Sequence, residues 1–279
     1  EVETPILVPV AAGGTARPFQ THHNSLNRDL YLRIATELYL KRLVVGGIEK
    51  VYEIGRVFRN EGIDFTHNPE FTMMESYEAY ADYKDVMEMV EKIVSEIANQ
   101  ILGTTTIQFD GNEIDLQPPW PRRTLQDMVK NWTDIDFLEY PDSDSLMDAM
   151  RKKGFDVGQQ MSWGGLLDKL ISTAVEPNIL QPTFLIDYPV EMSPLAKRKV
   201  DEPRLVERFE GFIAGMELCN AFTELNDPLD QRARLESQEA LHNQFKDEDM
   251  DRLDQDFLIA LEHGMPPTAG LGIGLDRLV

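Results

Sequence analysis

The feature that most restricts the fold of this sequence is a pair of strand-like segments joined by a polar loop. Residues 51–58 and 70–81 carry many β-branched, aromatic and other apolar side chains, and turn-forming residues lie between them. This pattern predicts a long antiparallel hairpin. A second hairpin is predicted for residues 205–214 and 217–225, which flank Gly215.

Segments with helical periodicity alternate with these hairpins. Apolar residues recur at helical spacing in residues 31–45 and 82–103. A charged helix is predicted for residues 227–245, and another helical stretch for residues 257–263. Shorter and broken helical patterns over about residues 120–178 indicate an inserted helical region. Because hairpins favour antiparallel pairing, we predict an α+β fold in which a central antiparallel sheet is flanked by helices, as one domain over the whole chain.

The composition is that of an ordinary globular protein. A chain of 279 residues, 42% of them hydrophobic, can bury a full core. Cys219 is the single cysteine in the sequence, so neither an internal disulfide nor a cysteine-based zinc site is predicted. The sequence has no apolar stretch of membrane-spanning length, and its first residues are unlike a signal peptide. We therefore expect a cytoplasmic protein with no membrane association.

The net charge limits how the chain can meet a nucleic acid. Lys and Arg number 27 against 49 Asp and Glu, which gives a formal charge of −22. A protein with this charge does not bind a polyanion over its whole surface. Contact with nucleic acid is therefore expected at local basic clusters: Arg122 and Arg123, residues 151–153, and residues 197–199. A solvated surface is the more common explanation of each cluster.

Polar and aromatic side chains share one face of two predicted strands. Because side chains alternate across a strand, one face carries Phe71, Met73, Glu75 and Tyr77, and the other strand presents Asn220, Phe222 and Glu224. A buried glutamate is costly without a cation or hydrogen-bond donors. We therefore expect Glu75 and Glu224 to face a cationic partner, whereas core packing is the simpler role for Phe71 and Met73.

Further chemistry is indicated at the end of the first hairpin strand. The planar guanidinium of Arg59 suits a phosphate or a carboxylate, although a surface ion pair with Glu61 is an equal alternative. His67 and Asn68 lie in the hairpin loop, where functional polar groups are often displayed. An ordinary loop histidine remains the simpler interpretation of His67.

Two other patterns allow a ligand but do not by themselves require one. Glu210 and Glu217, on the second hairpin, can share a divalent cation through hard oxygen atoms. Gly270, Gly272 and Gly274 leave one edge of the last strand without side chains, directly before Arg277. These glycines let a ligand approach the backbone, or they let a helix pack closely against the sheet.

Several sequence motifs together resemble the class II lysyl-tRNA synthetases. The second class II motif is matched by FRNE (residues 58–61) and the third by GLGIGLDR (residues 270–277), and ETPIL (residues 3–7) is similar to the end of the first motif. The lysine-specific subfamily is indicated by GGTARPF (residues 13–19) and NAFTELND (residues 220–227). The resemblance covers nearly the whole chain and implies the class II aminoacyl-tRNA synthetase catalytic fold.

The resemblance implies a set of site residues for an enzyme that activates lysine with ATP and transfers it to tRNA(Lys). Arg59 and Arg277 are then catalytic. The implied ATP contacts are Arg59, Asn60, Glu61, His67, Asn68, Phe71, Glu217, Gly274 and Arg277. The implied lysine contacts are Gly14, Glu37, Arg59, Glu75, Tyr77, Asn220, Phe222 and Glu224, with Tyr77 and Glu224 at the side-chain ammonium. Glu210 and Glu217 correspond to the ligands of Mg²⁺.

The resemblance also implies a homodimer formed through the first-motif region. The anticodon-binding barrel and the end of the third motif are expected to be absent from this chain, so that the chain by itself activates lysine weakly and charges tRNA poorly. Two alternatives remain open. One is a lysine-activating relative that modifies a translation factor protein, and the other is a regulatory module that has lost catalysis.

Overall fold

The computed structural model describes residues 1–14, 16–63, 67–158, 161–245 and 254–279, without the side chains of residues 241–245. The described part of the chain contains twelve strands. The strands are β1 (Leu7–Val8), β2 (Gln20–His23), β3 (Arg28–Leu32), β4 (Lys50–Phe58), β5 (Glu70–Ala79), β6 (Thr106–Phe109), β7 (Asn112–Asp115), β8 (Arg122–Thr124), β9 (Thr183–Ile186), β10 (Arg208–Ile213), β11 (Met216–Thr223) and β12 (Thr268–Gly274).

Helices occupy the segments between these strands. They are α1 (Glu37–Val45), α2 (Tyr83–Leu102), α3 (Leu125–Thr133), α4 (Ser143–Lys152), α5 (Trp163–Leu170), α6 (Pro228–Phe245), α7 (Gln255–Glu262) and α8 (Leu275–Leu278). Contacts divide the chain into two compact units. The first unit combines Glu1–Asp82 with Thr223–Val279, and the second unit is Tyr83–Phe222.

The first unit contains the predicted long hairpin. Strand β5 lies between β4 and β12, and both pairings are antiparallel. In this register Tyr77 lies opposite Val51 on one side and opposite Gly270 on the other. A separate small sheet has the order β1, β3, β2. Helices α1 and α7 supply buried side chains such as Leu40 and Phe257 to the core of this unit.

The second unit contains the predicted second hairpin and most of the shorter helices. Strand β10 pairs with β11 and with β9 in antiparallel fashion, and β8 runs parallel to β9. The β10–β11 turn consists of Ala214 and Gly215, with φ of 53° and 75°. Positive φ at both turn positions matches the right-handed twist of a two-residue hairpin, which explains the glycine. Helices α3, α4 and α5 pack around one apolar core that includes Leu146 and Phe212.

Most predicted elements are found close to their predicted limits, but the first helix begins later than its periodicity indicated. Residues 31–45 were expected to be helical as a whole, whereas helix α1 begins at Glu37. Tyr31 and Leu32 instead belong to β3, where Leu32 pairs with Leu7 of β1. Pairing with distant strands overrides the local helical pattern here.

Helices α3, α4 and α5 all lie within residues 120–178, where helical structure was predicted. That this region is an insertion into one catalytic domain stays a prediction. Among the described residues, no helix is both long and apolar enough to cross a membrane.

Candidate active site

A buried acidic group lies in the first unit, where β5 passes the start of helix α1. Glu75 is 4% exposed and its neighbour on the same strand face, Tyr77, is also 4% exposed. The backbone N–H of Thr36, at the start of α1, donates to Oε1 of Glu75 over 2.9 Å. The Tyr77 hydroxyl donates to Oε2 over 3.2 Å. Both oxygens of Glu75 are thus held by donors, as a buried carboxylate requires.

Two further carboxylates of the same unit contact the ammonium of Lys41. Lys41 lies one helical turn after Glu37 on α1, and its Nζ is 2.5 Å from Oε1 of Glu37. The same Nζ contacts Oε2 of Glu224, which follows directly after β11. The side chains of Lys41 and Glu224 are both fully buried. Helix spacing explains the first contact, because residues four apart share one face of a helix.

The acidic group carries more negative than positive charge when all its members are ionised. It consists of Glu37, Glu75 and Glu224, with Lys41 as the cation and Tyr77 as a neutral donor. Burial and the charge of Glu37 raise the pKa of Glu75 to about 7, against the lowering effect of the hydrogen bonds from Thr36 and Tyr77. Burial also raises the pKa of Tyr77 well above its usual range. A further cation would stabilise the ionised form of this group.

Lys41 and Glu224 form a tightly coupled pair. Burial by itself lowers the pKa of Lys41, but the adjacent Glu224 and Glu37 more than offset this and raise it. Burial also raises the pKa of Glu224, which the positive charge of Lys41 partly counteracts. The ammonium of Lys41 therefore stays charged and is the main feature that favours an ionised Glu224.

Two residue pairs of the first unit each combine a guanidinium group with a planar ring. The guanidinium carbon of Arg59 lies 5.2 Å from the centre of the Phe71 ring, and Nε of Arg59 is 3.4 Å from the Ile34 carbonyl oxygen. Nη2 of Arg277 lies 3.5 Å from Nε2 of His67. Two guanidinium groups and a planar ring suit an anionic nucleotide with an aromatic base.

The second unit has its own buried group around Glu210 of β10. Nη2 of Arg208 is 2.6 Å from Oε1 of Glu210, and the Tyr188 hydroxyl donates to Oε2 over 2.6 Å. Arg208 also donates through Nε to the side-chain oxygen of Asn220 over 3.0 Å. Asn220 is the register partner of Glu210 across the β10–β11 hairpin. A predicted metal ligand and a predicted lysine contact thus share one arginine.

Charge repulsion is present in this second group as well. Burial, opposed by Arg208 and assisted by Glu217, raises the pKa of Glu210 to about 7. Burial and the charge of Glu217 also raise the pKa of Asp168 on α5, while Arg208 lowers it. Hard carboxylate oxygens that repel one another suit a divalent cation, and Mg²⁺ commonly uses one or two protein carboxylates together with substrate phosphates. Glu210 and Glu217 therefore fit the predicted ligand chemistry.

Comparison with known families decides the identity of the fold. The family described as tRNA synthetases class II (D, K and N) matches residues 1–279. The chain belongs to this family. The predicted α+β class is confirmed, because the strand pairings of this chain are mostly antiparallel and helices flank them.

The chain is similar throughout its length to curated relatives. It is 55% identical to the lysine–tRNA ligase of Dehalococcoides mccartyi strain 195 over 279 residues, all of this chain and 56% of that protein. It is 56% identical to the lysine–tRNA ligase of Chloroflexus aurantiacus and 53% identical to that of Moorella thermoacetica, in each case over all of this chain and 57% of the relative. The chain spans a little over half the length of these relatives.

This class II synthetase brings together many of the residues predicted from sequence, unit by unit. In the first unit Glu37, Glu75, Tyr77 and Glu224 form the acidic group, Arg59 lies against Phe71, and Arg277 lies beside His67. In the second unit Glu210 and Asn220 share Arg208, and Glu217 acts on Glu210. Their roles toward lysine, ATP and Mg²⁺ stay predictions.

The remaining predicted residues lie beside these groups. Gly14 follows Gly13, whose Cα faces Glu37 so closely that an added Cβ would lie 3.3 Å from the Cβ of Glu37. Asn60, Glu61 and Asn68 are exposed near the β4–β5 loop, and Phe222 and Gly274 are partly exposed at strand positions. Residues 64–66 of that loop lie outside the described residues.

Two cations of this class II synthetase were not identified by sequence reasoning. Lys41 was overlooked although its spacing from Glu37 is that of a helical ion pair. Arg208 was overlooked although it lies on the same strand face as Glu210. Both are recognisable in retrospect as cations placed beside predicted acidic ligands.

The basic clusters considered for nucleic acid each contain an ion pair. Arg122 contacts Glu91 at 2.5 Å, Lys153 contacts Asp134 at 2.5 Å, and Lys199 contacts Asp187 at 2.9 Å. These pairings favour a structural role for part of each cluster.

Proposed function

We propose that this chain is the catalytic part of a lysine–tRNA ligase, which uses ATP to form lysyl-adenylate and transfers the lysyl group to the 3′ end of tRNA(Lys). The observation that carries the proposal is the buried acidic group of the first unit. Three glutamates against one lysine leave a deficit of positive charge. The substrate lysine has two ammonium groups, so it supplies the missing cations.

The amino-acid site is proposed to bind the side-chain ammonium of lysine and also its α-ammonium and carboxylate. Glu224 and Tyr77 would hold the side-chain ammonium, and Glu37 and Glu75 would hold the α-ammonium near the Gly13–Gly14 loop. Asn220 and Phe222 of β11 are proposed as further contacts, with Arg59 at the carboxylate. A neutral side chain of similar length would leave one oxygen of the buried Glu224 carboxylate without a donor, which is costly.

The activation step needs positioning and charge stabilisation. A carboxylate oxygen of lysine attacks the α-phosphorus of ATP, the bond between that phosphorus and the bridging oxygen breaks, and pyrophosphate leaves. Arg59 and Arg277 would stabilise the phosphate charge while Phe71 stacks on adenine. Asn60, Glu61, His67, Asn68, Glu217 and Gly274 are the further proposed ATP contacts. No side-chain base is needed, because the attacking carboxylate is already ionised.

Mg²⁺ is the proposed cofactor, held by Glu210 and Glu217 of the second hairpin. When bound, the ion neutralises phosphate charge during nucleotide chemistry. Both oxygens of Glu210 already accept hydrogen bonds, from Arg208 and Tyr188, so these two residues would fix the orientation of the carboxylate. The ordered carboxylate is then ready to bind the cation.

The second step completes the reaction. A hydroxyl of the terminal ribose of tRNA attacks the carbonyl carbon of lysyl-adenylate, and AMP leaves. We further propose a homodimer through the first-motif region, because Ile6 and Leu7 expose 45% and 49% of their surface there. A cytoplasmic location follows from the proposed role in protein synthesis.

The test is exchange of labelled pyrophosphate into ATP by the protein at its full natural length, with lysine, aspartate and asparagine compared. We expect exchange with lysine and little with the other two, followed by charging of tRNA(Lys). Exchange that favours aspartate or asparagine would contradict the assignment of lysine. Lysine activation followed by transfer to a protein, or no activation with any of the three, would support one of the two alternatives instead.

A further inference from the structure

Lys41 occupies an unusual place among the charged residues of the first unit. Its side chain is fully buried, and its ammonium contacts Glu37 and Glu224, both from the acidic group. It also lies 5.8 Å from the centre of the Phe257 ring on α7. A lysine is rarely buried unless it is paired, so its position is determined by the two carboxylates.

The two oxygens of Glu224 have different surroundings. Oε2 contacts Lys41. Neither buried oxygen accepts a hydrogen bond of regular geometry from a described residue, but the Lys41 ammonium is an ionic partner for Oε2, whereas Oε1 lies beside the Tyr77 ring, close to Gly270. A buried carboxylate oxygen without a donor is costly, and a donor supplied by a ligand removes that cost. The unsatisfied oxygen therefore marks the side of Glu224 on which a ligand donor is required.

We propose that Lys41 is a positioning residue for the selection of lysine: it holds Oε2 of Glu224 so that Oε1 is presented, ionised, to the side-chain ammonium of the substrate. This inference rests on the proposed function of the acidic group. Lys41 contacts the enzyme's carboxylate and not the reacting atoms. Its effect is therefore expected in the recognition of the substrate side chain and not in the chemical step.

The surrounding charges explain why a cation is needed behind Glu224. Glu37 on α1 and Glu75 on β5 both raise the pKa of Glu224, in addition to its burial, and Lys41 opposes them. Tyr77, the other titratable group of β5 at this site, is neutral at ordinary pH. Without Lys41, a proton would replace the missing cation on Glu224, and a protonated Glu224 holds an ammonium weakly.

An alternative role for Lys41 would be competition, in which its ammonium occupies the place of the substrate ammonium. The two roles predict opposite changes in lysine affinity when Lys41 is removed. Removal of a positioning residue weakens lysine binding, whereas removal of a competitor strengthens it. The burial of Lys41 between α1 and Phe257 favours the positioning role, because its ammonium contacts Oε2 of Glu224 and leaves Oε1 without a donor among the described residues.

The central experiment is the Lys41→Met variant of the full-length protein, assayed by lysine-dependent pyrophosphate exchange. We expect the KM for lysine to rise at least about tenfold, the loss typical of one charged hydrogen bond, with little change in kcat or in the KM for ATP. The inhibition constant of norleucine, which has the lysine chain without its ammonium, should stay unchanged. The rise in KM should become smaller as pH increases, because Glu224 then ionises even without Lys41.

Two further variants keep the test decisive. Lys50→Met removes an exposed lysine that also pairs with a glutamate, Glu78, at 2.6 Å, and it should leave the KM for lysine unchanged. Glu224→Gln with Lys41→Met removes one charge of each sign, which protects the fold if the single variant unfolds. Adding Lys41→Met to Glu224→Gln should change the KM for lysine less than about twofold, because Lys41 acts through Glu224.

Each outcome decides the proposal. An unchanged or lower KM for lysine in Lys41→Met, or a parallel loss of lysine and norleucine binding, would overturn it. So would a large additional loss in the Glu224→Gln background. If the unaltered protein shows no lysine-dependent exchange, the proposed function itself fails, which is distinguishable from failure of the role of Lys41 alone.

Discussion

Gly270 and Glu224 lie so close together that no side chain fits at position 270. An added Cβ on Gly270 would lie 2.0 Å from Oε1 of Glu224 and 2.5 Å from Cε1 of Tyr77. Tyr77 is also the register partner of Gly270 between β5 and β12. The sequence left open a ligand or a helix beside the glycines of the last strand, and the space beside Gly270 is taken by side chains of the acidic group. The glycine thus maintains the shape of the proposed lysine site.

The substitution Gly270→Ala is expected to displace Glu224 and Tyr77 together. We expect a rise of about tenfold or more in the KM for lysine, and a loss of about 1–3 kcal/mol in the free energy of unfolding from overpacking. Exchange kinetics and thermal unfolding measure the two effects. Gly158→Ala is the matched control, because its added Cβ would lie 3.7 Å from Met161 in ordinary contact. Equal lysine kinetics in both variants would contradict this role of Gly270.

Glu224→Gln is expected to weaken lysine binding much more than ATP binding. The change removes the charge that faces the substrate ammonium and keeps the side-chain shape, which costs about 1.5–3 kcal/mol for a charged hydrogen bond. Titration calorimetry with lysine and with ATP measures both affinities. Glu78→Gln, on the exposed side of β5, is the control. A comparable loss of affinity for lysine and ATP would count against side-chain recognition by Glu224.

Arg59→Ala is expected to abolish adenylate formation with a smaller effect on folding. The negative charge that Arg59 is proposed to stabilise develops mainly in the transition state, and Arg59 is only partly buried beside Phe71 and the Ile34 carbonyl. Pyrophosphate exchange measures the effect on adenylate formation, and the midpoint of thermal unfolding measures the effect on folding. Near-normal exchange in this variant would remove Arg59 from the mechanism.

Lysine binding is expected to strengthen as pH rises through about 7, the pKa of Glu75 in the ligand-free protein. Because burial and Glu37 raise this pKa, Glu75 is largely protonated below that pH and must release its proton to face an ammonium. Calorimetry in buffers of different ionisation enthalpy measures the released protons. The Glu75→Gln variant should lose this release. Affinity that falls with pH over this range would contradict the assignment.

The same pKa shift predicts the sign of a stability change without lysine. A carboxyl whose pKa is raised in the folded state stabilises that state below its unfolded pKa, near 4.5, and loses this contribution as pH rises toward about 7. Glu210 acts in the same direction, since its pKa is also raised to about 7. Saturating lysine should reduce the contribution of Glu75 to this pH dependence of stability.

Glu210→Gln is expected to raise the concentration of Mg²⁺ needed for half-maximal exchange. The variant removes one hard anionic ligand while the amide can still meet Arg208 and Tyr188. A titration of exchange rate against Mg²⁺ measures the change. Glu202→Gln, at an exposed ion pair with Arg204, provides the control. The same Mg²⁺ requirement in both variants would exclude Glu210 as a ligand.

The two hairpins could be predicted from local properties of the sequence. Strand-forming residues and the turn at Gly215 predicted β10 and β11 correctly, because a two-residue turn with positive φ is a local property. The alternation of side chains also placed Glu75 and Tyr77 on one face of β5. The motif resemblance indicated the family that the comparison then confirmed.

The tertiary structure decided where the chain departs from its local preference and which charges meet. Tyr31 and Leu32 have helical spacing with the residues of α1, but they pair in a sheet because β1 and β2 satisfy their backbone. Lys41 was not among the residues predicted for the site, yet the fold places its ammonium against Glu224 from a remote segment of the chain. Periodicity is a property of neighbouring residues, whereas the pairing of buried charges depends on which elements pack together and exclude water.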